Sequence, residues 1–415
     1  MRVERFALSE VSTAAAAVER IRALVPAGRD VRGDVETIVD AVRGGGDSAV
    51  REYAERFDRV EPGAALRVSA QELDAAAASL RSDLRYGLEL AMVNIAAVAG
   101  ASLGDDRELR LNQGQRVLVR ELPVDRAAIY APGGRNPYPS TVLMGVVTAR
   151  VAGVDDIAVL SPGAHPVVLA ACALCGVDEV YRVGGAHGIA ALAYGTETIR
   201  RADVIAGPGG LHVQEAKRFV SGDVGIDGFL GPSDVFIVAS GDADPELVLA
   251  DLLAQAEHGA GTIVGLATDA PQLIDAVAGR LAALKSEAVG ALVDVGSLSD
   301  ALAVSEAFAP EHLELMGRDA EPLAPAVRRA GAIFVGGGTA FGDYVAGSNH
   351  SLPTGGSARF GSALSVRHFR RRMAEVHIGR DAAATLAKAG APVARAEGFE
   401  LHARSMEARQ NGGTS

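Results

Sequence analysis

Hydrophobic positions change their rhythm along this chain. Over roughly the first 110 residues they recur three and four apart, as in Val35-Glu-Thr-Ile-Val-Asp-Ala-Val42 and Gln71-Glu-Leu-Asp-Ala-Ala-Ala-Ala-Ser-Leu80, which predicts helices. Gly44-Gly-Gly46 is expected to stop the first of them. From residue 115 short apolar runs alternate with helical stretches. Residues 124–130, 156–160, 179–183 and 202–206 read as strands, and residues 142–152, 166–175 and 188–194 as helices between them. The alternation resumes at residues 234–238, 262–267 and 332–335. Strands separated by helices of that length imply parallel sheets with right-handed crossovers. The expected fold class is therefore α/β, with two parallel-sheet halves at 115–232 and 233–361. A helical segment, 1–114, should pack with the second half, and a helical tail, 362–415, should begin near Arg367-His-Phe-Arg-Arg-Arg372.

At 415 residues the chain exceeds what one core usually carries, in keeping with more than one domain. A net charge of −12 argues against a partner bound through its phosphate backbone, so no nucleic acid is expected. The start, Met1-Arg-Val-Glu-Arg-Phe6, lacks a signal-peptide core, and no run approaches roughly 18 uninterrupted apolar residues. The expectation is a cytoplasmic protein with no membrane partner. Cys172 and Cys175 form a C-x-x-C, but they lie in an apolar helix-like run ending at Gly176 and without a second ligand pair, so they read as core thiols.

Candidate chemistry stands out against this small, apolar background. Gln255 and His258 lie three apart in a helical run, so both can reach one point. Pro310-Glu311-His312-Leu-Glu314 adds two acids and an imidazole. Asp343 and His350, with Gly342 and Gly347 around them, suggest a turning loop. The donors are N and O without thiolate, which suits Zn²⁺ and also admits Mn²⁺ or Fe²⁺. Each feature has a plain structural alternative: a surface histidine, a helix start after Pro310, a turn cap at Asp343. For His165, His212, His368 and His377 the plain alternative is preferred. No G-x-G-x-x-G occurs, yet the glycine turns at 132–134, 184–185 and 207–210 fall after predicted strands, where a parallel sheet opens its binding crevice.

Taken in order, ten motifs resemble the histidinol dehydrogenase family over nearly the whole chain. They are Ile129-Tyr-Ala-Pro-Gly-Gly134, Pro139-Ser-Thr-Val-Leu-Met144, Val183-Gly-Gly-Ala-His-Gly-Ile-Ala190, Gly207-Pro-Gly209, Glu215-Ala-Lys-Arg218, Gly231-Pro-Ser233, Leu253-Ala-Gln-Ala-Glu-His258, Ala309-Pro-Glu-His-Leu-Glu314, His350-Ser-Leu-Pro-Thr354 and Glu397-Gly-Phe-Glu-Leu-His402. The resemblance implies incomplete Rossmann-like domains and NAD⁺-dependent, four-electron oxidation of L-histidinol to L-histidine through L-histidinal. It also implies one Zn²⁺ per subunit, held by Gln255, His258, Asp343 and His402. Those ligands, together with Ser233, His312, His350 and Glu397, would contact substrate, while His312 would serve as base and Glu311 would activate water. The tail carrying Glu397 and His402 would complete a neighbouring subunit's site, making a homodimer.

Tyr130 matches a cofactor contact, whereas His187 and Gly210 replace the family's Gln and Asn. A lost neutral hydrogen bond costs on the order of 1 kcal/mol, so NAD⁺ use would survive with a weaker grip. These departures, and Gly228-Phe229-Leu230 before Gly231, leave two alternatives: a paralogue oxidising another amino alcohol or a sulfonated diol, and a zinc-binding relative without dehydrogenase activity.

Overall fold

The computed structural model describes residues 1–25, 30–133, 136–229 and 231–409; Gly134 and Leu230 lie outside the described residues. In chain order come β1 (Arg2–Ala7), α1 (Ala14–Arg22), α2 (Arg32–Phe57), α3 (Ala70–Ala78), α4 (Ser82–Ala101), β2 (Arg107–Arg110) and β3 (Arg116–Pro123). Next follow β4 (Arg126–Tyr130), α5 (Pro139–Val151), β5 (Asp156–Leu160), α6 (Pro166–Leu174), β6 (Glu179–Tyr181), α7 (Gly185–Tyr194), β7 (Val204–Ala206), α8 (Leu211–Val220) and β8 (Gly225–Ile226). The second half holds β9 (Asp234–Ala239), α9 (Pro245–Ala256), β10 (Ile263–Thr268), α10 (Pro271–Ala283), β11 (Val289–Asp294), α11 (Leu298–Phe308), β12 (His312–Met316), β13 (Ala332–Val335) and α12 (Thr339–Tyr344). The chain ends in β14 (Arg370–His377), α13 (Arg380–Ala396) and α14 (Glu400–Ala408).

Two compact units result: residues 1–102 with 125–369, and residues 103–124 with 370–415. The first contains both parallel sheets, ordered β6-β5-β4-β7-β8 and β1-β11-β10-β9-β12-β13. β1 apart, each chain path starts inside its sheet, runs to one side, then returns past its own start, at β4/β7 and at β9/β12. Inner strands are buried along their whole length, as β4 and β9 are, because helices cover both faces. In the second sheet, α9 and α10 pack over Val235, Ile237 and Leu292, while α1 and α11 pack over Phe236, Val238, Leu313 and Leu315.

Several expectations need correction. The N-terminus is not wholly helical, since β1 adds an edge strand to the second sheet. Only that strand and α1 join the second half; α2 packs its Val35, Val39 and Val42 into the core of the first sheet. The Gly44–Gly46 run, by contrast, interrupts the helix as expected: Gly46 is non-helical (φ 53°, ψ −137°), and two helical segments of α2 meet there at a kink. The tail opens with a strand: β14 pairs antiparallel with β3 and places residues 116–123 in the second unit. The Arg-rich start of β14 and the long sequence separation of its partner hid that pairing from a hydrophobic reading. Among the described residues only α4 is long and apolar enough to cross a membrane, and it packs against α5.

Candidate active site

The densest group of ionisable side chains lies at the amino-terminal edge of the second sheet. Helix α11 ends at Ala309 in a left-handed conformation (φ 51°), and Pro310 then turns the chain into β12. Parallel pairing of β12 with β9 sets His312 beside Val235, so Glu311 and Asp234 meet at the strand starts. Their backbones and side chains exchange hydrogen bonds: Glu311 N donates to Asp234 Oδ1 at 2.7 Å, and Asp234 N to Glu311 Oε2 at 2.9 Å. The Ser233 hydroxyl also donates to Glu311 Oε2. His312 Nδ1 lies 3.1 Å from the Asp234 carbonyl and therefore carries a proton, while Nε2 lies 3.2 Å from Asp343 Oδ1.

These contacts shift the ionisation of the group. Burial pushes the Glu311 carboxyl up to about 8 against the pull of His312, and burial pushes Asp234 up to about 6. Burial would lower His312, but the neighbouring Glu311 and Asp343 carboxylates outweigh it and raise the imidazole to about 9. Asp343, despite burial that would raise it, is held below its ordinary value, first by His312. His350 is lowered by burial; its Nδ1 lies 3.0 Å from the Asp343 carbonyl and its Nε2 3.4 Å from Thr141 Oγ1 on α5.

The metal-ligand candidates divide between the units. Gln255 ends α9 and is buried, with Nε2 donating to Ser233 Oγ, which leaves the amide Oε1 as donor atom. His258 lies just past that helix. It is exposed in the single chain, yet enough protein surrounds the ring to hold its pKa below the ordinary value, with Asp343 and His312 acting on it. Asp343 is on α12, a short helix where a loop was expected. A neutral imidazole, a carboxylate and an amide oxygen fit Zn²⁺ in kind. Among the described residues no group of three or more His, Cys, Asp or Glu side chains is placed to hold a metal ion. His402 on α14 and Glu397, the C-cap of α13, are in the second unit, both exposed beside Val393, Phe399 and Leu401, themselves 58 %, 53 % and 77 % exposed.

At the first sheet the point where the path reverses lies between β4 and β7, and both strands end in candidate cofactor residues. Tyr130 closes β4 with its hydroxyl 3.4 Å from Gly185 N, and burial raises its pKa to about 12. Gly207 (φ +124°) follows β7, and a Cβ there would lie 2.1 Å from the Tyr130 carbonyl oxygen. A buried Lys217–Asp227 pair clasps this turn, Asp227 Oδ2 accepting from Gly207 N at 2.7 Å. Gly210 caps α8 in open space, with nothing within 4 Å of a would-be Cβ. His187 departs from its expected place: it is 1 % exposed, and its Nε2 is taken by Asp58 at 2.8 Å.

Asp58, Asp234 and Thr141 were not singled out in the sequence. For Asp234 a signal existed, because a carboxylate opening the apolar run Asp234-Val-Phe-Ile-Val-Ala239 needs a partner. The cysteines behave as core thiols, raised by burial, and His165 caps α6 through Val167 N at 3.3 Å.

Comparison with known proteins shows the family. A family model described as histidinol dehydrogenase matches residues 26–410. The chain is 42% identical over 401 residues to the histidinol dehydrogenase of Rhizobium meliloti (strain 1021), covering 92% of each. It is 44% identical over 406 residues to that of Aromatoleum aromaticum, again covering 92% of each. The crystal structure of histidinol dehydrogenase from Elizabethkingia anophelis superimposes with a TM-score of 0.89 at 29% identity, over 99% of this chain and 98% of that one.

Proposed function

The chain belongs to the histidinol dehydrogenase family and is an oxidoreductase, and from that premise we propose that it oxidises L-histidinol to L-histidine through L-histidinal, using NAD⁺ and one Zn²⁺ per subunit. The observation that carries this reading is the buried pair Glu311–His312, adjacent at the start of β12, with Glu311 held by Ser233 and the Asp234 amide and His312 Nε2 lying 3.2 Å from Asp343 Oδ1. Groups so placed can exchange protons near the operating pH.

Gln255, His258 and Asp343, completed by His402 of the partner subunit, would hold the metal, which when bound supplies a fixed anchor for the nitrogen donors of an amino alcohol. The proton chemistry falls to the chain's own groups. With Nδ1 engaged by the Asp234 carbonyl, Nε2 of His312 is the atom that receives the hydroxyl proton, and Asp343 steadies the protonated ring. Ser233 and the Asp234 amide hold Glu311 Oε2, so Oε1 is the atom that takes a proton from water before the second oxidation. His350, fixed through Asp343 O, lines the substrate side.

The reversal point beside Tyr130 and Gly207, with the amino ends of α7 and α8 nearby in sequence, suits NAD⁺. Exposed Val393, Phe399 and Leu401 beside Glu397 and His402 support a second copy covering that face, in a homodimer whose subunits share sites. The reading is tested by assaying NADH formation from L-histidinol beside an amino alcohol lacking the imidazole and a sulfonated diol. Faster turnover of either of the latter would replace histidinol as substrate.

A further inference from the structure

Two carboxyls that this chemistry leaves unused are Asp251 and Glu314. Glu314 follows His312 by two residues on β12 and so shares its face, the one covered by α9. Asp251 precedes Gln255 by one turn of α9 and shares its side of that helix. The two acids thus repeat, one step in from the sheet edge, the pairing of strand and helix that builds the site. Both point at the same piece of backbone. Glu314 Oε1 accepts from Thr339 N at 3.1 Å, and Asp251 Oδ2 accepts from Gly338 N at 3.1 Å.

The backbone they hold leaves β13 with Gly336 N donating to Leu315 O at 2.8 Å, and beyond that bond its glycines supply no side-chain packing. Gly336, Gly337 and Gly338 are all left-handed (φ 85°, 90° and 92°) and lead directly into α12, which carries Asp343. A Cβ at Gly337 would lie 2.9 Å from Met316 Cε and 3.0 Å from Asp251 Oδ2, so the turn presses onto the strand and the acid. Glu314 is fully buried, and its Oε2 has no hydrogen-bond partner except what Asp251, the charge acting on it most strongly, can provide. Two carboxyls so placed do not both ionise; one keeps a proton for the other. A closed circuit results: His312 Nε2 to Asp343, along α12 to Thr339, from Thr339 N to Glu314, and back along β12 to His312.

We propose that Asp251 and Glu314 are positioning residues: by holding the Gly338 and Thr339 N–H groups they fix where Asp343 stands against His312, and so complete the metal-binding geometry. This rests on the reading that Asp343 serves the metal.

The experiment titrates Zn²⁺ into metal-free protein under chelator competition, for wild type, Glu314→Gln, Glu314→Ala and Glu314→Met, with thermal melting of each metal-free form. Glu314→Gln keeps an acceptor for Thr339 N and a donor toward Asp251, and should bind within about twofold of wild type, since the hydrogen-bond geometry survives. Glu314→Ala should bind roughly 10- to 100-fold more weakly, the usual cost of losing a group that orients a ligand. If the alanine variant does not fold, Glu314→Met fills similar volume without an acceptor and carries the same expectation. A folded Ala or Met variant with wild-type affinity overturns the proposal and leaves the site reading intact. Equal weakening in Glu314→Gln also overturns it, by showing that charge and not geometry matters. A wild type that binds no Zn²⁺ overturns both readings.

Discussion

His187 Nε2 lies 2.8 Å from Asp58 Oδ2, and the same oxygen accepts from Gly184 N at 2.7 Å. Asp58 is the C-cap of α2, so one carboxylate ties that helix to the turn that opens α7. Both side chains are nearly enclosed, at 1 % and 7 % exposure, and Tyr53 and Phe57 pack against the imidazole. Removing one partner of such a pair leaves the other buried and unpaired. Asp58→Ala should therefore lose about 3 kcal/mol in urea denaturation; a loss below about 1 kcal/mol would mean that the pair is not structural.

The same contact changes what can be expected of NAD⁺ binding. His187 is spoken for, whereas Gly210 is exposed, has an ordinary φ of −67°, and has room for a side chain. Gly210→Asn should lower the Kd for NAD⁺ several-fold, as about 1 kcal/mol from one hydrogen bond allows. His187→Gln should leave Kd within about twofold, because that side chain is buried and its Nε2 is engaged by Asp58. Calorimetry decides, and the reverse ranking would put His187 back among the cofactor contacts.

Much of the sheet-and-helix alternation was legible because parallel strands here are short continuous apolar runs: the buried 156–160 and the half-exposed edge strand 332–335 were both read to the residue. Strands β12 and β14 were not. His312-Leu-Glu-Leu-Met316 alternates polar and apolar residues because its polar face meets α9 and the site, and Arg370–His377 is charged because it pairs at the surface of a small unit. Spacing brought out Gln255 and His258, and motifs brought out Glu311, His312 and Asp343. Asp58 and the role of Glu314 depend on neighbours far away in sequence, which no local pattern records.

His258 is exposed and makes little of the core, so His258→Ala should leave the melting temperature of the metal-free protein within a few degrees of wild type. Zn²⁺ retention through dialysis, measured by atomic emission, should fall to background. Full retention would remove His258 from the ligand set.

His312 and Glu311 should separate kinetically. His312→Asn removes the proton acceptor of both oxidations and should slow each by about 10²- to 10⁴-fold. Glu311→Gln should slow chiefly the conversion of supplied L-histidinal, by a similar factor, while alcohol oxidation in single turnover changes less. Wild-type turnover of the aldehyde by Glu311→Gln would end the water-activation role.

Glu314 also predicts a pH dependence of stability. Burial and Asp251 push its carboxyl up to about 8 from an ordinary 4.5. The folded state therefore favours the protonated form, and the contribution is full below 4.5 and lost as pH rises through about 8. The stability of wild type minus that of Glu314→Gln should fall steadily over that window, since Glu311, His312 and Asp234 titrate alike in both. Parallel stability curves would show that Glu314 is ionised in the fold.

The central claim is that one site carries out both oxidations in succession, with the aldehyde retained between Glu311 and His312. The most direct measurement is the ratio of NADH formed to L-histidinol consumed by purified protein supplied with Zn²⁺ and excess NAD⁺, with an aldehyde trap present. A ratio of about two is expected, unaffected by the trap, with L-histidine as the product. A ratio of about one with trapped L-histidinal, or no NADH from L-histidinol at all, would contradict it.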